Sequence, residues 1–117
     1  MSFPEKIDLS LYKNNADFVT KTAAQLEKDF SGEGYLLNFT ETTLSYEKLY
    51  EAVFPIIDKL LNTQPYKLQQ LIYRIDLPEK AYGETIQKSN EPASELTQLI
   101  IQRELLKVVI RHHYSDK

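Results

Sequence analysis

The 117-residue sequence contains no cysteine, and this absence removes several kinds of chemistry. Disulfide bonds, thiolate nucleophiles and cysteine-based zinc or iron–sulfur centres are all excluded. Only three glycines are present, which favours helices over a β-sandwich with many tight turns. No apolar run exceeds three residues, whereas a membrane-spanning helix needs about 20. We therefore expect a helical protein that does not span a membrane.

The charge pattern is mildly acidic, with a net charge of −3. Residues 1–45 carry seven acidic and four basic side chains, so the negative surplus is N-terminal. Broad nucleic-acid binding requires a basic surface, which this chain lacks. Binding to an anionic membrane surface is disfavoured for the same reason. The first 15 residues lack the apolar segment of a secretion signal. We therefore predict a cytoplasmic protein that binds neither nucleic acid nor membranes.

The first predicted helix follows an irregular N-terminal arm, residues 1–13. Asn14 or Asn15 can cap it, and an apolar stripe continues to about Phe30. Residues 31–34 contain two glycines, one of which suits the left-handed position that ends many helices.

The second predicted helix contains a proline. Thr43 or Ser45 caps its start, and residues 62–64 end it. Pro55 lies within the apolar pattern, where it removes a backbone donor and clashes with the preceding turn. We expect a kink or a break near Tyr50–Phe54.

Two shorter helices follow. Pro65 occupies the first position of the third helix, which continues to Ile75. Asp76 can cap a short fourth helix at Pro78–Lys88, whose apolar stripe is weak and is interrupted by Gly83.

The last predicted helix, from a start near Pro92 to about His112, has two apolar faces, whereas an ordinary surface helix has one. At about 100° per residue the first face consists of Leu99, Leu106 and Ile110. The second face consists of Ile101, Leu105, Val108 and Val109. Such a helix must be covered on both sides, either by its own chain or by a second chain.

These segments predict an all-α fold, a compact irregular bundle of four to five helices in a single domain over residues 1–117. Short connections make sequential helices roughly antiparallel. An alternative adds a minor β pairing of residues 7–12 with residues 35–39, because apolar side chains alternate in both segments.

A basic stripe lies on the C-terminal half of the last helix, where Arg103, Lys107 and Arg111 are spaced four residues apart. It could grip a carboxylate, a phosphate or an acidic partner. The alternative is structural, because basic side chains offset the negative end of a helix and Glu104 is close enough to pair with them.

Residues 73–79 are a second candidate anion contact, through Arg74 and Tyr73. Arg74 with Asp76 or Glu79 would form an ion pair that ties two helices together, or an anion-recognising corner. Pairing is the default, because an arginine close to acidic residues usually pairs.

Catalytic and metal-binding patterns are missing. His112 and His113 are adjacent, so on a helix they point about 100° apart and cannot easily hold one metal ion. Gly32 and Gly34 follow a helix and lack the remaining residues of a phosphate loop. We predict no catalytic residues, no metal and no cofactor.

Two segments carry a family resemblance: LIYRIDLPE (Leu71–Glu79) followed by LIIQRELLKVVIR (Leu99–Arg111). Together they resemble the C-terminal half of a family of small, uncharacterised bacterial helical proteins, over about the last two-fifths of the chain. The resemblance implies a bacterial, cytoplasmic, all-α protein, and it supplies no activity, cofactor or functional residue.

Our leading hypothesis is a helical protein–protein interaction or oligomerisation domain, a homodimer or a subunit, with the second apolar face as its interface. The alternative is a small-molecule or anion-binding domain with a tyrosine-lined pocket near Pro55, anchored by Arg74 or Arg103. The eight tyrosines suit either role, and Tyr66 and Tyr73 lie two helical turns apart.

Overall fold

A computed structural model describes residues 8–39 and 44–115, with side chains described to residue 114, and these residues form an all-α bundle. A 3₁₀ turn at Leu9–Leu11 precedes five helices: α1 (Ala16–Gly32), α2 (Tyr46–Thr63), α3 (Pro65–Ile75), α4 (Glu79–Lys88) and α5 (Pro92–Ser115). The suggested β pairing of residues 7–12 with 35–39 is wrong for the described residues. Residues 9–11 form the 3₁₀ turn and residues 35–39 are irregular, while residue 7 lies outside the described part.

Both ends of α1 follow from local chemistry. The side chain of Asn15 accepts hydrogen bonds from two backbone amides of the first turn, as predicted for the cap. At the other end Gly34 has φ +88°, the left-handed conformation that glycine adopts without steric strain. The Tyr35 amide donates to the Phe30 carbonyl at 2.9 Å, which completes a Schellman motif.

Helix α2 is continuous through Pro55, so of the kink or break expected near Tyr50–Phe54 the break does not occur. Ser45 caps the helix by accepting from the Lys48 amide at 3.2 Å, while residue 43 lies outside the described part. Pro55 is on the exposed side of α2. The carbonyl of Glu51, which Pro55 cannot satisfy, is therefore able to accept from water, and the helix continues.

Asp76 ends α3 and does not cap α4, contrary to our expectation. It has φ 66°, and the next amide, that of Leu77, donates to the Ile72 carbonyl at 3.2 Å. Aspartate is one of the few residues that tolerate this left-handed conformation, so it replaces glycine at the end of α3. Helix α4 then begins at Glu79, one residue later than predicted, without a side-chain cap.

Helix α5 is the centre of the bundle. It packs mainly against α1 and α2 and also contacts α3 and α4. Its fully buried positions fall on one broad arc, which begins at Leu96 and ends at Val109. The opposite side contains the first apolar face, whose three members Leu99, Leu106 and Ile110 are only half-buried.

The second apolar face of α5 is covered within one chain. Ile101 joins the main core, while Leu105, Val108 and Val109 form a second cluster with Phe18 of α1. All four members of the predicted interface have at most 3% of their surface exposed. The helix therefore needs no second chain to cover this face. No helix within residues 8–39 and 44–115 is both long and apolar enough to cross a bilayer.

Leu105→Asp should unfold the protein, because the carboxylate would be buried among apolar side chains without a partner. We expect a loss of more than about 3 kcal/mol in the free energy of unfolding. Leu106→Asp, on the half-buried side of the same helix, should lose less than half as much. Urea titrations followed by circular dichroism, with size-exclusion chromatography, measure both. A Leu105→Asp variant that keeps its helicity and changes only its size would instead make this face an interface.

Gly34→Ala and Gly83→Ala should have opposite effects on stability. Alanine at position 34 must adopt the left-handed conformation, which should lower the free energy of unfolding by about 1 kcal/mol. Gly83 lies inside α4 with open space around it, so alanine there should add about 0.5–1 kcal/mol. Thermal and urea unfolding test the pair, and effects of equal sign would contradict the assigned backbone conformations.

Candidate functional site

An open groove of about 990 Å³ lies between α3 and α4. Both helices pack against α5 and make few contacts with each other, so the space between them stays open. We call this space the α3–α4 groove. Its rim consists of Tyr66, Gln69, Gln70 and Tyr73 on α3 and of Glu79 and Tyr82 on α4.

Two highly exposed tyrosines form one wall of the groove. Tyr66 and Tyr73 have 66% and 83% of their surface exposed, on a helix whose other face is fully buried. They are seven residues apart, so they share one face of α3 with about 10.5 Å between them along the helix axis. Ile72 and Leu77 add apolar surface to the lining.

Tyr82 stands on the opposite wall and is half-buried against the core. Partial burial raises the pKa of its phenol, because the phenolate would lose hydration. Its hydroxyl is therefore protonated at neutral pH and can donate a hydrogen bond into the groove. This groove is therefore a different site from the tyrosine-lined pocket predicted near Pro55. A smaller pocket on α2 is lined by Tyr46 and Tyr50.

Arg74 closes one end of the groove through a contact with the end of α1. Its Nε donates to Glu33 Oε2 at 2.5 Å, so its ionic partner is neither Asp76 nor Glu79 as predicted. The guanidinium lies directly on Gly32, where an added Cβ would be only 2.6 Å from Nη1. The missing side chain at Gly32 allows this close approach, which the sequence alone did not indicate.

Three further polar side chains of the groove have no partner among the described residues. Within the part of the chain that the structure describes, no hydrogen bond or ion pair engages the side chains of Gln69, Gln70 or Glu79. Glu33 is paired with Arg74, whereas Glu79, in the first turn of α4, has no ionic partner among the described residues. The groove thus offers aromatic faces, two amides and one carboxylate to a ligand.

The predicted basic stripe on α5 is engaged by side chains of the same chain. Arg103 Nη2 donates to Asp76 Oδ2 at 3.0 Å, and Lys107 Nζ donates to Asp29 Oδ2 at 2.9 Å. Arg111 Nη2 donates to the amide oxygen of Gln25 at 2.8 Å. The three cations bind separate partners on α1 and at the end of α3, so they do not converge on a common anion.

A fully buried carboxyl group, Glu104, lies beneath this stripe. Lys107 Nζ is 2.6 Å from its Oε1, although neither oxygen makes a well-aligned hydrogen bond to a described residue. Burial, and then the neighbouring carboxylate of Asp29, raise the pKa of Glu104 to about 8, while Lys107 opposes the shift. Glu104 is consequently protonated at neutral pH. A substrate cannot reach it, so its unusual pKa is a property of the core.

Asp29 is the charged member of the carboxyl pair. Its burial tends to raise its pKa, but the contact with Glu104 and the hydrogen bonds from Lys107 and Gln25 outweigh burial and hold this pKa below its ordinary value. The opposite pKa shifts place the negative charge of this carboxyl pair on Asp29. No local sequence pattern indicates this pair, because Asp29 and Glu104 are 75 positions apart along the chain.

The two histidines contact the N-terminal turn. The Tyr12 hydroxyl is 3.2 Å from His113 Nε2, and His112 packs edge-on against Phe18 with ring centres 5.1 Å apart. Among the described residues no group of three or more histidine, aspartate or glutamate side chains is arranged to hold a metal ion.

No protein family, curated protein or solved structure matches this chain at a significant level. The resemblance to small bacterial helical proteins therefore stays a prediction.

Glu104→Gln should change how stability depends on pH. The folded protein keeps the Glu104 proton up to about pH 8, whereas the unfolded chain releases it near 4.5. Unfolding between these values releases a proton, so the wild-type free energy of unfolding falls as pH rises. Glutamine is neutral at every pH. The free energy of unfolding of the variant, relative to that of the wild type, should therefore rise by on the order of 1–4 kcal/mol between pH 5 and pH 8.

Urea titrations at pH 5, 6.5 and 8 measure this difference. The lowered pKa of Asp29 affects stability only below about pH 4, outside this range. Thr97→Val is the control, because Thr97 is equally buried on the same helix but does not ionise, so its effect should be constant with pH. A constant offset for Glu104→Gln as well would mean that Glu104 is already ionised in the folded state.

Proposed function

We propose that this protein is a helical protein-interaction domain without catalytic activity, and that it binds a segment of another protein in the α3–α4 groove. The observation that carries the proposal is the exposure of Tyr66 and Tyr73 beside an apolar floor. Tyrosines are enriched at interaction hot spots, since each ring offers a large rigid contact area and a polar tip. Neither side chain contributes to the core, so core packing does not explain them.

The location of the groove also favours it over the second apolar face of α5. A partner can contact only accessible atoms, and Leu105 and Val109 would become accessible only if α1 left the bundle. The groove is open without any rearrangement. The interface is therefore assigned to α3 and α4.

A protein segment fits the groove better than a small anion does. Small-molecule sites usually enclose most of their ligand, and this groove is open along its length. Its arginine, Arg74, is already paired with Glu33 at 2.5 Å, so an anion would have to compete with that carboxylate. The uncompensated charge is that of Glu79, so a basic residue in the partner complements the site.

Selection from a random peptide display library tests the proposal with the folded protein as bait. We expect enriched peptides whose binding weakens at least tenfold in Tyr66→Ser and in Tyr73→Ser. Both side chains are largely exposed, so the variants should keep wild-type stability. Leu36→Ser is the matched control, because Leu36 is 85% exposed and lies outside the groove.

Two results would overturn the proposal. Either no peptide family is enriched, or the enriched peptides bind the two tyrosine variants as tightly as they bind the wild type. In the second case the bound surface lies elsewhere on the molecule.

A further inference from the structure

We infer that the segment bound in the α3–α4 groove is an extended polyproline II helix with a basic residue beside Glu79. This inference rests on the proposed function and specifies its ligand. The spacing of the tyrosines, the polar groups between them and the charge of the groove each support it.

The spacing of Tyr66 and Tyr73 matches the repeat of a polyproline II helix. The two residues are about 10.5 Å apart along α3. A polyproline II helix repeats every three residues and rises about 9.3 Å in one turn. Two prolines or apolar side chains three positions apart can therefore contact the two rings in succession, with Tyr82 opposite them.

The polar groups between the tyrosines suit an extended backbone. A polyproline II chain makes no internal hydrogen bonds, so all its carbonyls are available to a partner. The amides of Gln69 and Gln70 and the protonated hydroxyl of Tyr82 supply donors along the groove. A few ordered donors beside aromatic rings are what such a ligand needs, since proline itself has no N–H.

A helical ligand fits less well. The backbone of a helix is already hydrogen-bonded, so its apolar face would cover Gln69 and Gln70 without offering them partners. Each polar group that is buried without a partner weakens a complex. The alternation of tyrosine and glutamine on this wall of α3 therefore favours an extended segment over a helix.

The charge of the groove specifies one further feature of the ligand. Glu33 is satisfied by Arg74, while Glu79 at the first turn of α4 has no described partner. An arginine or lysine in the segment can pair with Glu79, and its stem can lie against a tyrosine ring. An acidic residue at that position is repelled.

Fluorescence polarisation with three matched peptide arrays tests the inference. Every peptide of the first array contains two prolines three positions apart, and the residues next to the prolines are varied. Each peptide also contains one arginine, placed at the N-terminal end or at the C-terminal end. The second replaces both prolines with alanine, and the third replaces the arginine with glutamate. The wild type, Tyr73→Ser, Glu79→Gln and Leu36→Ser are titrated against each array.

We expect the best proline peptides to bind the wild type at least tenfold tighter than their alanine counterparts and than the glutamate array. Tyr73→Ser should weaken them at least tenfold, and Leu36→Ser should not change them. Glu79→Gln should weaken the arginine peptides about three- to tenfold and narrow their advantage over the glutamate peptides. That narrowing separates a direct charge contact from a general loss of fold.

The inference is overturned if two results occur together. No proline peptide binds better than its alanine counterpart, and alanine peptides or displayed peptides do bind in a way that depends on Tyr66 and Tyr73. In that case the groove still binds a protein segment, but in a helical or other conformation. If neither array nor display yields binding that depends on the tyrosines, the proposed function itself fails. A preference for glutamate peptides would overturn the basic residue assigned opposite Glu79.

Discussion

The rest of the structure depends on the burial of α5 over more than half of its circumference. A helix with two apolar faces must bury the strip between them on one side. Here the strip that contains Glu104 is buried, while the opposite strip with Gln98 and Gln102 faces water. That choice fixes α1, because Asp29 has to meet Lys107 and Glu104 at the contact. The remaining helices occupy positions around α5 that α1 leaves open.

The buried polar group has a perturbed pKa but is not accessible to solvent. A protonated carboxyl beside a carboxylate and a lysine resembles the acid–base groups of many active sites. Glu104, however, is sealed between two helices, and the three cations above it are each held by a different partner. Its protonation reduces the electrostatic penalty of burial. The perturbed pKa is therefore explained by the packing of α1 against α5.

The sequence predicted most of the fold because the signals for helix ends are local. A capping asparagine, a left-handed glycine and a proline at a first helical position act within one turn, and all three were confirmed. Two points depend on the surroundings: exposure allows α2 to continue through Pro55, and Asp76 ends α3 although an aspartate at a helix junction can also cap the next helix. The burial of Glu104 could not be predicted, because periodicity leaves both strips of α5 equally eligible. Its partner Asp29 comes from a distant helix.

The sequence indicates only one wall of the α3–α4 groove, because the other wall depends on tertiary packing. The spacing of Tyr66 and Tyr73 on one helix face is readable, but the opposite wall depends on where α4 packs. Helix α4 has no fully buried residue. It packs against α5 and makes few contacts with α3. Helix α4 leaves Tyr66 and Tyr73 of α3 uncovered. Exposed rings add little to the free energy of folding, so the stability of the fold does not explain these two tyrosines. Because the two rings are exposed, substitutions there can change binding without changing stability, since the core around α5 stays intact.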